Sequence, residues 1–203
     1  MNTEEYLQID EVDNLIDNLE MVAYFLTLDF TYKWKWVIIA LHQALYGALI
    51  AALQGIDPSQ TVVDHKKTTG KTVKFHVKNE QIASKLGENK TKTRKRFTEP
   101  YLISLDEALR RMKRNDRPPN ERLITTQKEN NAIKKLTKEF RNEFEHFFPQ
   151  SWMISKDIFP PIVKHVMRVI EFLACDSTCI NMSIEQEERT RLAVKRIKNL
   201  VSL

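Results

Sequence analysis

WVIIALHQALYGALIAAL, Trp36 to Leu53, decides what kind of protein this is. Eighteen residues without a formal charge approach the length of a membrane span. The same composition suits a helix buried on most sides in the middle of an α-helical core. His42 and Gln43 favour the second reading, because a lone span would expose both to lipid. Gln54–Gly55 and then Asp57–Pro58 end the segment as a helix ends.

Working outward, the chain reads as helices. Before the apolar segment, Val12, Leu15, Ile16, Leu19, Val22, Ala23 and Leu26 repeat at helical spacing over about 11–28, with Asp10 placed to cap them. The short connection to the next helix, about 34–53, predicts an antiparallel pair. Three capping boxes follow: Ser104-x-x-Glu107, Thr126-x-x-Glu129 and Ser183-x-x-Gln186. They open helices over about 105–114 and 127–147, and a last one near the C-terminus. Ile133, Leu136, Phe140, Phe144 and Phe147 form the apolar stripe of the second, and Pro149 stops it. Pro160–Pro161 starts another helix, apolar on most sides, over about 161–174. With four glycines, seven prolines and 42% hydrophobic residues, a β-sandwich and a Gly-rich nucleotide loop are disfavoured. The expected fold is an all-α antiparallel bundle of five or six helices, one domain over 1–203.

The net charge is +5, but it is unevenly spread. From Asp64 to Thr98 eleven lysines and arginines face three carboxylates, so this stretch carries +8 and the remainder about −3. Residues 60–98 therefore read as a basic insertion after the second helix. It is either disordered or holds a small hairpin, since Thr72–Val77 alternates polar and apolar residues. Lys92, Arg94, Lys95 and Arg96 are its densest cationic cluster and suit a polyanion such as RNA. Cys175 and Cys179 make no disulfide framework and have no second pair or adjacent histidine for zinc. They read as small apolar residues near a helix end, in a reducing compartment. The first twenty residues are acidic rather than basic and then apolar, so no secretory leader is expected. The expected location is the cytoplasm, without stable membrane association.

Near the end of the 127–147 helix stands Arg141-Asn142-Glu143-Phe144-Glu145-His146. The spacing alone carries little; the apolar stripe beside it, Phe147–Phe148 after it and the Pro149 stop make it a helix terminus. With those residues in place the chain resembles the HEPN family of helical bundles. The defining motif of that family is Arg, four to six residues, then His, often with Asn, His or Asp after the Arg. Arg141, Asn142 and His146 fill those positions. The resemblance spans roughly 10–55 and 100–175 and leaves the basic insertion outside. It implies a metal-independent endoribonuclease of defence or toxin type, working as a homodimer without a cofactor. A partner antitoxin or regulatory protein would accompany it. It equally admits a catalytically silent HEPN module that binds RNA, a nucleotide or a protein. Phe148 stands where some HEPN toxins carry a tyrosine that a partner enzyme modifies, which argues against that form of control.

The chemistry fits the residues. Metal-free RNA cleavage needs a proton acceptor for the 2′-hydroxyl, a donor for the departing 5′-oxygen and positive charge for the phosphorane. Histidine serves the first two near neutral pH and the arginine fork serves the third. Five residues along a helix is about 140° of rotation, so Arg141 and His146 do not share one face, whereas Asn142 and His146 do. Two copies across a symmetric dimer would supply both acid and base. Without the resemblance, Arg141 pairs with Glu145 at i+4 and His146 packs at a helix end. His42 reads as a core histidine with a satisfied partner, or as a support for the site if it faces the motif helix.

Overall fold

The computed structural model describes residues 10–54, 102–145 and 153–201, and over them the protein is all-α: six helices and no strand. Helix α1 runs Glu11–Thr27 and α2 runs Lys33–Gln54. Helix α3 spans Leu105–Met112. Helix α4 begins as Gln127–Lys134, widens to a π-helical stretch Lys135–Phe140 and returns to α-helix over Arg141–Glu145. A 3-10 turn, Lys156–Ile158, leads into α5, Phe159–Glu171, which closes with a π-helical turn Phe172–Asp176. Helix α6 covers Ile184–Leu200. The basic insertion with its hairpin-like stretch lies outside the described residues.

Caps fix where the helices begin. Asp10 accepts from the Asp13 amide at 2.8 Å. Thr126 and Ser183 complete their boxes, with Glu129 and Gln186 reaching back to the cap amides at 2.7 and 3.0 Å. The third box is only half formed. Ser104 accepts from the Glu107 amide, but the Glu107 carboxylate turns to Arg110 and Arg111 instead of the Ser104 amide. Three bonds from two guanidiniums outcompete one from a neutral amide.

Helix α2 is the axis. Fourteen of its 22 residues are buried, among them Val37, Ile38, Leu41, Leu45 and Leu49, so its apolar length is spent on neighbouring helices. It packs on α1, α3, α4 and α5. Helix α1 lies antiparallel to it, with Leu15 over Gly47, where a Cβ would stand 3.6 Å from the Leu15 backbone, an ordinary van der Waals contact. Helix α6 covers the other side of α1, tied by Gln186 to Asp13 at 2.9 Å and by a two-point Arg189–Glu20 pair. An aromatic cluster joins α2, α4 and α5. Phe159, at the start of α5, stacks on Trp34 at 5.4 Å and meets Phe140 edge-on at 5.3 Å, with Phe144 at 6.3 Å. That cluster clamps the far end of α4, where the Arg141 motif begins.

Both cysteines are half-buried free thiols at and just beyond the end of α5, as their composition suggested. Burial pushes the Cys175 thiol up to about 11.

Candidate functional site

The last turn of α4 is built to hold Arg141. The preceding π stretch buries Leu136 and Phe140. In it the Thr137 hydroxyl donates to the Ile133 carbonyl at 2.9 Å, drawing a side chain into the helix ladder. Segments of this kind loosen the regular backbone pattern and recur at functional sites. Immediately after it, Arg141 Nη2 bonds Glu145 Oε2 at 2.7 Å and Nη1 donates to Asn142 Oδ1 at 3.0 Å. The guanidinium is thus held by its own helix on two edges. Its third polar atom, Nε, is buried and has no acceptor.

Facing this turn is His42 of α2. The ring is 9% exposed and its Nδ1 is buried without a hydrogen-bond partner. Burial lowers its pKa to about 4; the Arg141 charge adds to the fall and the Glu145 charge opposes it. His42 is therefore neutral at pH 7 and stands within electrostatic reach of both members of the Arg141–Glu145 pair. The expectation of a satisfied core histidine is corrected: the residue is in the core, but its Nδ1 is unsatisfied. One turn further along α2, the Tyr46 hydroxyl donates to the Ile103 carbonyl at 2.6 Å. Burial raises the Tyr46 pKa, opposite in direction to His42, because its charged form is an anion.

Buried polar atoms are nearly always paired, so the exceptions carry information. On the last turn of α4 two such atoms lack partners, Arg141 Nε and Glu143 Oε2, and His42 Nδ1, on the ring that feels the Arg141 charge, is a third. The pairing of Arg141 with Glu145, read from the sequence as the non-functional alternative, is present. The two readings coexist: the ion pair is made and a buried donor remains.

Of the residues expected from the sequence, Arg141 and Asn142 fall on this turn, Arg141 half-buried and Asn142 exposed. His146, the next residue after Glu145, lies outside the described residues, and so do Lys92, Arg94, Lys95 and Arg96. Sequence reasoning passed over Glu145 as a site residue and treated it only as an ion-pair partner. His165 of α5 faces the other end of α4, where Glu129 and Lys128 act on it, and takes no part in the site. Comparison with protein-family models, with curated proteins and with solved structures returns no match to this chain.

Proposed function

We propose that the chain is a HEPN-type endoribonuclease that cleaves RNA without a metal or cofactor, as a homodimer, with Arg141, Asn142 and His146 as its site. The observation that carries the reading is the buried, unsatisfied edge of Arg141 set against a neutral His42. A guanidinium held on two sides and short of an acceptor is oriented for a phosphate oxygen. In the reaction, the 2′-hydroxyl gives its proton to His146 of one copy as its oxygen bonds to the adjacent phosphorus. The P–O5′ bond breaks, and the 5′-oxygen takes a proton from His146 of the other copy. The products are a 2′,3′-cyclic phosphate and a 5′-hydroxyl. Arg141 stabilises the extra negative charge of the phosphorane. Asn142 is a hydrogen-bonding neighbour for His146 or for phosphate. His42, kept neutral by burial, adds no second positive charge beside Arg141. The basic cluster at Lys92, Arg94, Lys95 and Arg96 would hold the rest of the RNA. A role as a cytoplasmic defence effector, checked by an antitoxin or another regulator, belongs to the same proposal.

A second reading has its own support. Glu145 already neutralises Arg141, which weakens its hold on phosphate and suits a catalytically silent module that binds RNA, nucleotide or protein. Incubating the purified protein with RNA in EDTA separates the two. The ribonuclease yields fragments ending in 2′,3′-cyclic phosphate, lost in Arg141→Ala and in His146→Ala. The silent module yields salt-sensitive retention and no fragments. Cleavage that persists in both variants would overturn the site assignment.

A further inference from the structure

A second cationic feature lies elsewhere in the fold. Beside the C-terminal end of α2, the end of α3 and the loop after it form an open, solvent-facing cavity of about 530 Å³. Four guanidiniums line it: Arg110, Arg111, Arg114 and Arg117. Leu53 closes one side, eleven residues or about 16 Å along α2 from His42, so this cavity is separate from the Arg141 turn.

The four arginines are not equally satisfied. Arg110 and Arg111 both bond the Glu107 carboxylate, at 2.6 to 2.8 Å. Arg114 forms a two-point pair with Asp116. Arg117 is different. Its side chain is 21% exposed, yet its Nη2 has only long contacts: 3.5 Å to the Ala52 carbonyl, 3.5 Å to Glu121 and 3.8 Å to the Cys179 sulfur. Its Nε is buried and has no acceptor. A mostly buried guanidinium that reaches several acceptors and bonds none of them well is costly in isolation. Here it opens into a cavity lined by three further guanidiniums and only two carboxylates, Asp116 and Glu121. The cavity is of a size that takes a small ligand.

We infer that this cavity is an anion site for a phosphate or diphosphate group, with Arg117 as its central donor and Arg114 at its rim. The planar fork of arginine suits that geometry, and an incoming phosphate would supply the short acceptors that Arg117 lacks. The group comes either from a free phosphorylated small molecule or from the backbone of a bound nucleic acid. In both cases the recognising chemistry is the same.

Calorimetric titration of the full chain with inorganic pyrophosphate tests the site, with a parallel titration of a short single-stranded RNA. Saturable pyrophosphate binding is expected, weakened at least about tenfold in Arg117→Gln and in Arg114→Gln. Arg114 is exposed, so its variant reads the site even where the half-buried Arg117 variant folds poorly. If pyrophosphate displaces the RNA and Arg114→Gln weakens both, the phosphate is that of a nucleic acid. If only pyrophosphate binding responds to Arg114→Gln, the ligand is a small molecule. Absence of pyrophosphate binding, or binding undiminished in both variants, would overturn the inference.

Discussion

His42 shows what one buried titratable ring does to the whole protein. Its folded pKa of about 4 lies below the 6.5 of the unfolded chain. Between those two values the unfolded state binds the extra proton, so stability rises with pH across that window and is lost as pH falls through it. The full effect is on the order of 3 kcal/mol, since one pKa unit is about 1.4 kcal/mol. Denaturant unfolding at pH 7 and at pH 4.5 should therefore differ by a margin that shrinks in His42→Leu. A variant with an unchanged pH dependence would show that His42 does not set it. From the sequence the residue stood out as a polar group in an apolar run, and as a support for the site only on the condition that it faces the motif helix. Its neighbours, Arg141 and Glu145, are about a hundred positions away, and no local pattern connects them. Arg141 and Asn142 were legible because they are contiguous; the coupling of Arg141 to His42 was not, because it is made by packing.

At the scale of elements, most boundaries follow from local chemistry. Asp10, Thr126 and Ser183 begin their helices because each side chain accepts a free backbone amide. The exceptions are equally physical. The Ser104 box fails because two arginines one turn on claim its glutamate. The π stretch at Lys135–Phe140 has no proline or glycine to announce it and emerges only when Leu136, Phe140 and Phe144 are all packed against their partners. Where α1 crosses α2, a Cβ added at Gly47 would sit at ordinary van der Waals distance from Leu15. Gly47→Ala should therefore be tolerated, and should gain up to about 1 kcal/mol of helix propensity. Gly47→Leu should force the helices apart and cost several kcal/mol, on the order of other overpacked cores. Thermal unfolding followed by circular dichroism would check both, and a destabilised alanine variant would show that the space beside Leu15 does not admit a methyl group.

For the molecule as a whole, the all-α class and the order of the helices were legible, because each helix carries its own periodicity. Beyond the α1–α2 pair, which helices touch was not, since the pairing of α6 with α1 depends on Gln186, Arg189 and partners more than 160 residues away. The charge map was legible too, and it makes a molecular prediction. With RNA held electrostatically, changing Lys92, Arg94, Lys95 and Arg96 together to glutamine should flatten the dependence of binding on salt. The expected loss is about 0.7 in log–log slope for each phosphate contact removed. Filter binding over a salt series would measure it, and an unaltered slope would exclude that cluster from the RNA contact.

The Tyr46–Ile103 hydrogen bond bears on how such a chain is put together. It seats the returning backbone against α2 two turns, or about 12 Å, before α2 ends at Gln54. The helical framework is thus left and re-entered at nearly the same place. A handful of extended residues would span that gap. Whatever length of chain runs from residue 55 to residue 101, the helices on either side are already docked to each other. The two described flanks are therefore held together by their own packing and by the Tyr46–Ile103 bond.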